Sequence, residues 1–292
     1  MVRASCWLHA AAALGLAAHP ASWPWALGGV LANHAALGAA GLLPRSRLLG
    51  PNLVRLPEAA RRRGEVALTF DDGPDPDVTP RVLDILAAHG ATASFFLIGR
   101  RAARHAPLVR GLARAGHSAE NHTDRHLHGF AALPPAATRR EIAAAQEAIA
   151  AAAGAEPRFF RPPAGLRSPF LDPALAAAGL LHASWTRRGF DTVRRDPEAL
   201  LRRLVGRRGL VGGDILLLHD GNAARVPGGG PVVLAVLPEL LRRIAAAGLS
   251  AVSLPRAMMA APPDPPAAAA GGGAAGEAAA AASRAPAARA SR

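Results

Sequence analysis

Lysine is absent from the 292 residues, so the formal net charge of +13 is carried wholly by arginine. Beside so much alanine, that absence reads partly as a bias of coding composition. Cysteine is nearly as scarce: Cys6 stands alone, which excludes an internal disulfide. No apolar run precedes it, as a lipoprotein cleavage cysteine would require. Aromatic residues make up only 4%. No aromatic-rich basic platform accompanies the arginines, so a nucleic-acid partner is not expected. An anionic lipid surface suits the charge better.

Charge is itself missing from Ala4 to Pro44. Trp25 to Leu43 offers 19 residues without proline, close to the roughly 20 that a spanning helix needs. Trp7 to Ala18 is shorter and ends at His19-Pro20, with Trp23 and Trp25 beyond it as interfacial anchors. Residues 1–43 are therefore expected to form a membrane anchor of one or two apolar helices, with His9, His19 and His34 as polar residues inside it. Residues 44–63 form an arginine-rich linker, with six arginines facing only Glu58. That bias would hold this flank in the cytoplasm. The expected location is the bacterial inner membrane, with the side of the catalytic domain left open. From Pro262 onward the chain is alanine, glycine and proline with scattered arginine, and residues 257–292 are expected to be a disordered low-complexity tail.

Between these flanks, strand and helix patterns alternate. Strand candidates are 65–70, 92–98, 117–120, 158–160, 180–185, 214–218 and 250–254. Thr79-Pro80 opens a helix that stops at Gly90, and 101–114 and 232–247 read as helices. Thr138 with Glu141 reads as a capping box for a helix closing at Gly154. Asp172-Pro173 and Asp196-Pro197 read as N-caps followed by first-turn proline. The fold class is α/β with about seven parallel strands, as a barrel or an open doubly wound sheet.

The chain is organised around Val66 to Pro74. Alternation sets Val66, Leu68 and Phe70 on one face and Ala67 and Thr69 on the other. Asp71 and Asp72 leave this strand in different directions, which suits two separate tasks better than one shared ligand. Taken alone, Asp-Asp-Gly-Pro is an ordinary turn. A second station, His122-Thr-Asp-Arg-His126, spaces two imidazoles to share a face of a helical turn and hold one metal ion. Asp72 or Asp71 could complete such a site and leave positions open for water and substrate. His128 falls on another face. Further stations lie at Arg161-Pro-Pro-Ala164-Gly165, at Trp185 through Asp191 and at Leu217-Leu218-His219-Asp220. All five lie at the C-terminal ends of predicted strands, the end where parallel α/β barrels build active sites.

Thr-Phe-Asp-Asp-Gly-Pro at 69–74, His-Thr-x-x-His at 122–126, Arg-Pro-Pro-x-Gly at 161–165 and Leu-Leu-His at 217–219 together resemble the polysaccharide deacetylases of carbohydrate esterase family 4. The resemblance covers about Gly64 to Pro255, giving an expected catalytic domain at 64–256. It implies a distorted (β/α) barrel, a divalent metal, with zinc as the expected ion, and hydrolysis of an acetyl group from a sugar. By this resemblance Asp71 is the base, and Asp72 binds the metal beside His122 and His126. Arg161 orients Asp71, and His219 is the general acid, tuned by Asp191. The backbone N–H of Ala164 joins in stabilising the oxyanion, while Leu217 and Leu218 wall the acetyl methyl pocket. Two positions depart from the family, which usually carries an aromatic at Ala164 and a tryptophan at Thr192. Their loss should widen the groove. The expected partners are an acetylated carbohydrate, membrane-proximal or lipid-linked, and membrane lipid. The competing reading is an inactive sugar-binding membrane protein of the same fold.

Overall fold

In the computed structural model, residues 2–259 are described. The expected tail beyond them lies outside the described residues. In chain order the elements are α1 (Val2–Ala18), α2 (Trp23–Gly41), α3 (Glu58–Arg62), β1 (Glu65–Gly73), α4 (Thr79–Ala88), β2 (Ser94–Leu97), α5 (Gly99–Arg104), α6 (Ala106–Arg114), β3 (Ser118–Asn121) and α7 (Pro135–Ala153). They continue with β4 (Phe159–Phe160), α8 (Leu171–Ala177), β5 (Leu181–His182), β6 (Arg187–Arg188), α9 (Pro197–Val205), β7 (Ile215–His219), α10 (Val232–Ala246), β8 (Ser250–Val252) and α11 (Leu254–Ala257).

All the strand pairings are parallel. Seven strands run in the order β5-β4-β3-β2-β1-β7-β6, and β8 adds to the start of β1 through Glu65–Ala67. The sheet is a half-barrel, as expected of a distorted (β/α) barrel. Each expected strand is present. The additional one, β6, consists of two arginines and carries no apolar pattern by which to find it.

β1 lies at the centre, and its alternation divides the core. Val66, Leu68 and Phe70 pack with Leu216, Leu218 and the helices α4, α9 and α10 in the outer layer. Ala67 points inward with Phe96, Phe159, Ile215 and Leu217. The same inward row carries Thr69 and then Asp71, so the site is the continuation of one strand face.

Several local expectations change. Thr138 lies inside α7, where its hydroxyl bonds to the carbonyl groups of Leu133 and Pro134, because Pro135 starts the helix a turn earlier. Asp172 sits within the first turn of α8 and makes no cap bond. Asp196 does cap α9, accepting a hydrogen bond from the Glu198 N–H at 2.9 Å. The stretch 101–114 divides into α5 and α6 at His105, with Pro107 opening the second.

The amino-terminal segment forms a helical hairpin, with Asn33 donating to the Ser5 hydroxyl at 2.7 Å and the His9 and His34 rings meeting at 3.2 Å between nitrogens. The expected transmembrane helix is corrected: among the described residues no helix is long and apolar enough to cross a membrane. Asn33 and His34 occupy the middle of α2, and four glycines dilute its apolar character. Residues 44–63 do not hang free as a linker. Leu56 and Ala60 enter the inner core, and Arg55 pairs with the buried Asp214 at 3.1 Å.

Candidate active site

Asp71 and Asp72 part company because the chain bulges between them. β1 pairs regularly with β2 up to Asp71, shifts register before Gly73, and places Asp72 at φ 70°. Asp71 stays on the inward row. One Asp71 oxygen lies 2.6 Å from the Arg161 guanidinium. Arg161 is fully buried and uses its other donors on the Thr69 hydroxyl and on the carbonyl groups of Ala183 and Ser184. Its guanidinium lies 4.0 Å over the Phe96 ring. Burial pulls the Arg161 pKa down, and Asp71 opposes that pull.

Asp72 turns toward the histidines. Its Oδ1 lies 3.2 Å from His122 Nε2 and 2.9 Å from His126 Nε2. The histidines do not converge on a helical turn as the spacing suggested. They leave β3 in a loop in which Thr123 (φ 67°) and His126 (φ 53°) adopt left-handed backbone. Neither threonine nor histidine announces that conformation in sequence, so the turn type was not legible. Asn222 donates to the second Asp72 oxygen at 3.2 Å, and Arg101 donates to the Asp72 carbonyl at 2.8 Å. Sequence reading missed both of these positioning residues: Arg101 lies in α5 and Asn222 in the loop after β7, with no motif around either.

Whether these residues fit a metal can be tested on their hydrogen bonds. His122 Nδ1 lies 2.6 Å from the Arg161 carbonyl oxygen and must donate to it. In the neutral ring Nε2 is then a lone-pair donor atom. That lone pair faces a carboxylate oxygen, Asp72 Oδ1, which is buried without a hydrogen-bond partner. A cation between them, a proton or a metal ion, satisfies both. One ligand atom from each of Asp72, His122 and His126 lies within 4.8 Å of the others. Two imidazoles and one carboxylate, with a backbone carbonyl orienting one ring, make a ligand set for a divalent metal with open positions. The electrostatics agree. Burial opposes charge on both groups, yet the histidines hold the Asp72 pKa well below its usual range. Burial is likewise outweighed at His122, whose pKa is raised by Asp71 and Asp72.

Across the cavity, β7 sets His219 in register with Asp71. His219 Nδ1 lies 2.8 Å from Asp191, and the other Asp191 oxygen accepts the His219 backbone N–H at 2.7 Å. Burial would lower the His219 pKa, but Asp191 and then Asp71 and Asp72 raise it.

Asp71, Asp72, His122, His126 and His219 line one cavity of about 450 Å³, together with Ala164, Thr192, Trp185, Arg188 and Leu217. Leu218 does not wall it. Alternation along β7 sends that side chain into the outer core, so only Leu217 of the pair reaches the site. His128, expected on another face, also lines the cavity, with its ring 5.9 Å from that of His126. Ala164 is exposed at the rim with φ 56°.

A parallel half-barrel thus sets a buried Asp-Arg pair, an Asp-His-His triad and a His-Asp pair around one cavity. The polysaccharide deacetylase family pattern matches residues 58–182. The chain is 36% identical over 157 residues to a chitooligosaccharide deacetylase of Bradyrhizobium sp. (strain ANU 289), covering 53% of this chain and 70% of that one. It is 35% identical over 162 residues to a peptidoglycan-N-acetylglucosamine deacetylase of Bacillus cereus, covering 55% and 74%. The solved family 4 carbohydrate esterase from Streptomyces lividans, in complex with acetate, is 34% identical with a TM-score of 0.58, covering 64% of this chain and 91% of that one. The chain belongs to the polysaccharide deacetylase family, carbohydrate esterase family 4.

Proposed function

We propose that the protein removes N-acetyl groups from a carbohydrate by hydrolysis that depends on a divalent metal, zinc being the best match to two imidazoles and one carboxylate. The observation that carries this reading is the meeting of three pairings in one cavity: Asp71 with Arg161, Asp72 with His122 and His126, and His219 with Asp191. The relatives support N-acetyl chemistry: one is named a chitooligosaccharide deacetylase and the other a peptidoglycan-N-acetylglucosamine deacetylase. The acetate in the Streptomyces lividans esterase is the product such a reaction would release.

Amide hydrolysis needs a better nucleophile than neutral water, a polarised carbonyl and a proton for the leaving amine. A bound divalent ion supplies Lewis acidity, polarising the acetyl oxygen and lowering the pKa of water from about 15.7 toward about 7. Asp72, His122 and His126 would hold that ion. Asp71, fixed by Arg161, takes the proton from the attacking water. The Ala164 N–H at the rim donates to the developing oxyanion. His219, charged with the help of Asp191, gives its proton to the departing sugar nitrogen. Leu217 offers an apolar wall for the acetyl methyl group. Ala164 and Thr192, both small, leave the groove wide where an aromatic ring would narrow it. An inactive sugar-binding protein would not need the acid, the base and the ligand set together. Acetate release from N-acetylated chitooligosaccharides is the test, with Asp71→Asn expected to lose at least about a hundredfold in kcat. An unchanged rate in that variant would sink the assignment of the base.

Association with a membrane surface is part of the same proposal. It rests on an exposed apolar hairpin, with Trp7, Trp23 and Trp25 at 76%, 60% and 85% exposure and no charged residue from Ala4 to Pro44. Co-sedimentation with anionic vesicles, lost when all three tryptophans are replaced by serine, would support it. Equal partitioning of the two proteins would not.

A further inference from the structure

Beside the catalytic cavity lies a second one of about 390 Å³, and the two share His126, His128 and Asn222. Arg100, Arg101, Arg104 and Arg125 line this neighbour, with Asp124 as its only carboxylate. The four cations are not equally available. Arg100 pairs with Asp124 at 3.1 Å, and Arg125 pairs with Glu141 at 2.5 Å. Arg101 donates one N–H to the Asp72 carbonyl, a neutral acceptor that leaves its charge uncompensated. The exposed Arg104 side chain has no hydrogen-bond or ion-pair partner among the described residues. Two unneutralised guanidinium groups thus stand in a cavity that opens onto the metal-ligating histidine.

The catalytic cavity holds a further cation of this kind. Arg188 lines the catalytic cavity, its Nε is buried without a partner, and its guanidinium lies 5.3 Å over the Trp185 ring. A neutral glycan gives these groups nothing to offset, whereas an oxyanion does so with bidentate, charge-assisted bonds.

We propose that the cavity lined by Arg101 and Arg104 is an anion subsite, so that the preferred acceptor is an N-acetylated glycan carrying a phosphate or carboxylate substituent. The substituent sits between Arg101 and Arg104 while the N-acetyl group occupies the Asp72-His122-His126 site. This rests on the deacetylase reading and narrows its substrate class.

The test uses the full chain and three N-acetylated oligosaccharides of equal length: a neutral chitooligomer, one bearing a lactyl carboxylate and one bearing a phosphomonoester. Acetate release is followed at low and high salt. At low salt kcat/KM is expected to be about tenfold or more higher for at least one anionic substrate, expressed in KM. That advantage shrinks at high salt. The better anionic substrate identifies the group. Arg104→Ala removes the preference and leaves turnover of the neutral oligomer unchanged, and Arg104→Lys keeps part of it. Equilibrium binding of the same oligosaccharides separates the two proposals. If no acetate is released from any of them, tighter binding of the anionic forms by the wild type than by Arg104→Ala still supports the subsite, and the deacetylase reading fails alone. Equal kcat/KM and equal binding for neutral and anionic forms would overturn the subsite, as would an Arg104→Ala variant that weakens all substrates alike.

Discussion

The Arg161 guanidinium donates to one oxygen of Asp71 at 2.6 Å inside the half-barrel, with both side chains buried. A buried pair of this kind is costly to break from one side, because the survivor is left as an uncompensated charge. Arg161→Ala should therefore lose about 3–5 kcal/mol of stability as well as activity. Arg161→Lys keeps the charge but not the fork that reaches Thr69, Ala183 and Ser184 together. It should fold with a smaller loss and still fall by about a hundredfold in kcat. Chemical denaturation and acetate release on both variants check this.

The proposed proton donor, His219, is tuned from behind. Asp191 contacts His219 through both the ring and the backbone N–H, and together with Asp71 and Asp72 it raises the His219 pKa against the pull of burial. A general acid works while protonated, so activity falls as pH rises through its pKa. Asp191→Asn removes the largest raising influence. The alkaline limb of kcat should move to lower pH, and kcat at neutral pH should drop. A pH–rate profile with an unmoved alkaline limb would assign that limb to another group.

His117 lies away from the site and provides a pH-dependent test of the fold. It is buried, accepts the Ala93 N–H at 3.1 Å, and burial pushes its pKa down to about 4. The unfolded chain, with a value near the usual 6.5, binds the proton first. This contribution to stability is intact above the unfolded pKa and is lost as pH falls from about 6.5 toward about 4. His117→Asn keeps an acceptor without titrating, and its melting temperature should vary less than that of the wild type across that window. Parallel curves for the two proteins would refute the assignment.

Much of this site was legible in the sequence because its residues leave strands whose apolar alternation is strong. The face that carries Ala67 and Thr69 continues to Asp71, and the same parity separates Leu217 and His219 from Leu218. The remainder was hidden for physical reasons. Asp72 is redirected by a bulge, and His122 and His126 are brought together by left-handed residues without glycine. Arg101 from α5 and Asn222 from the loop after β7 act on Asp72 from positions distant in sequence. The uncharged amino-terminal stretch did predict helices, but composition alone overstated how apolar they are once Asn33, His34 and the glycines are counted.

The ligand set predicts its own sensitivity. His126→Ala removes one of the three proposed ligands while leaving His122 anchored to the Arg161 carbonyl. Metal affinity should fall by about a hundredfold or more, with little change in the far-ultraviolet circular dichroism spectrum. Metal analysis after dialysis against a fixed free zinc concentration reads this directly.

A zinc titration tests the Asp72-His122-His126 site most directly. The protein is stripped of metal by chelation, and zinc is returned in steps while acetate release from an N-acetylated oligosaccharide is followed. Activity should be negligible at the start and should rise linearly to a plateau at one zinc per chain, with no recovery in Asp72→Asn. Full activity in the chelated protein, or full recovery by the Asp72→Asn variant at the same zinc ratio, would contradict the claim that Asp72, His122 and His126 together hold the ion this hydrolysis uses.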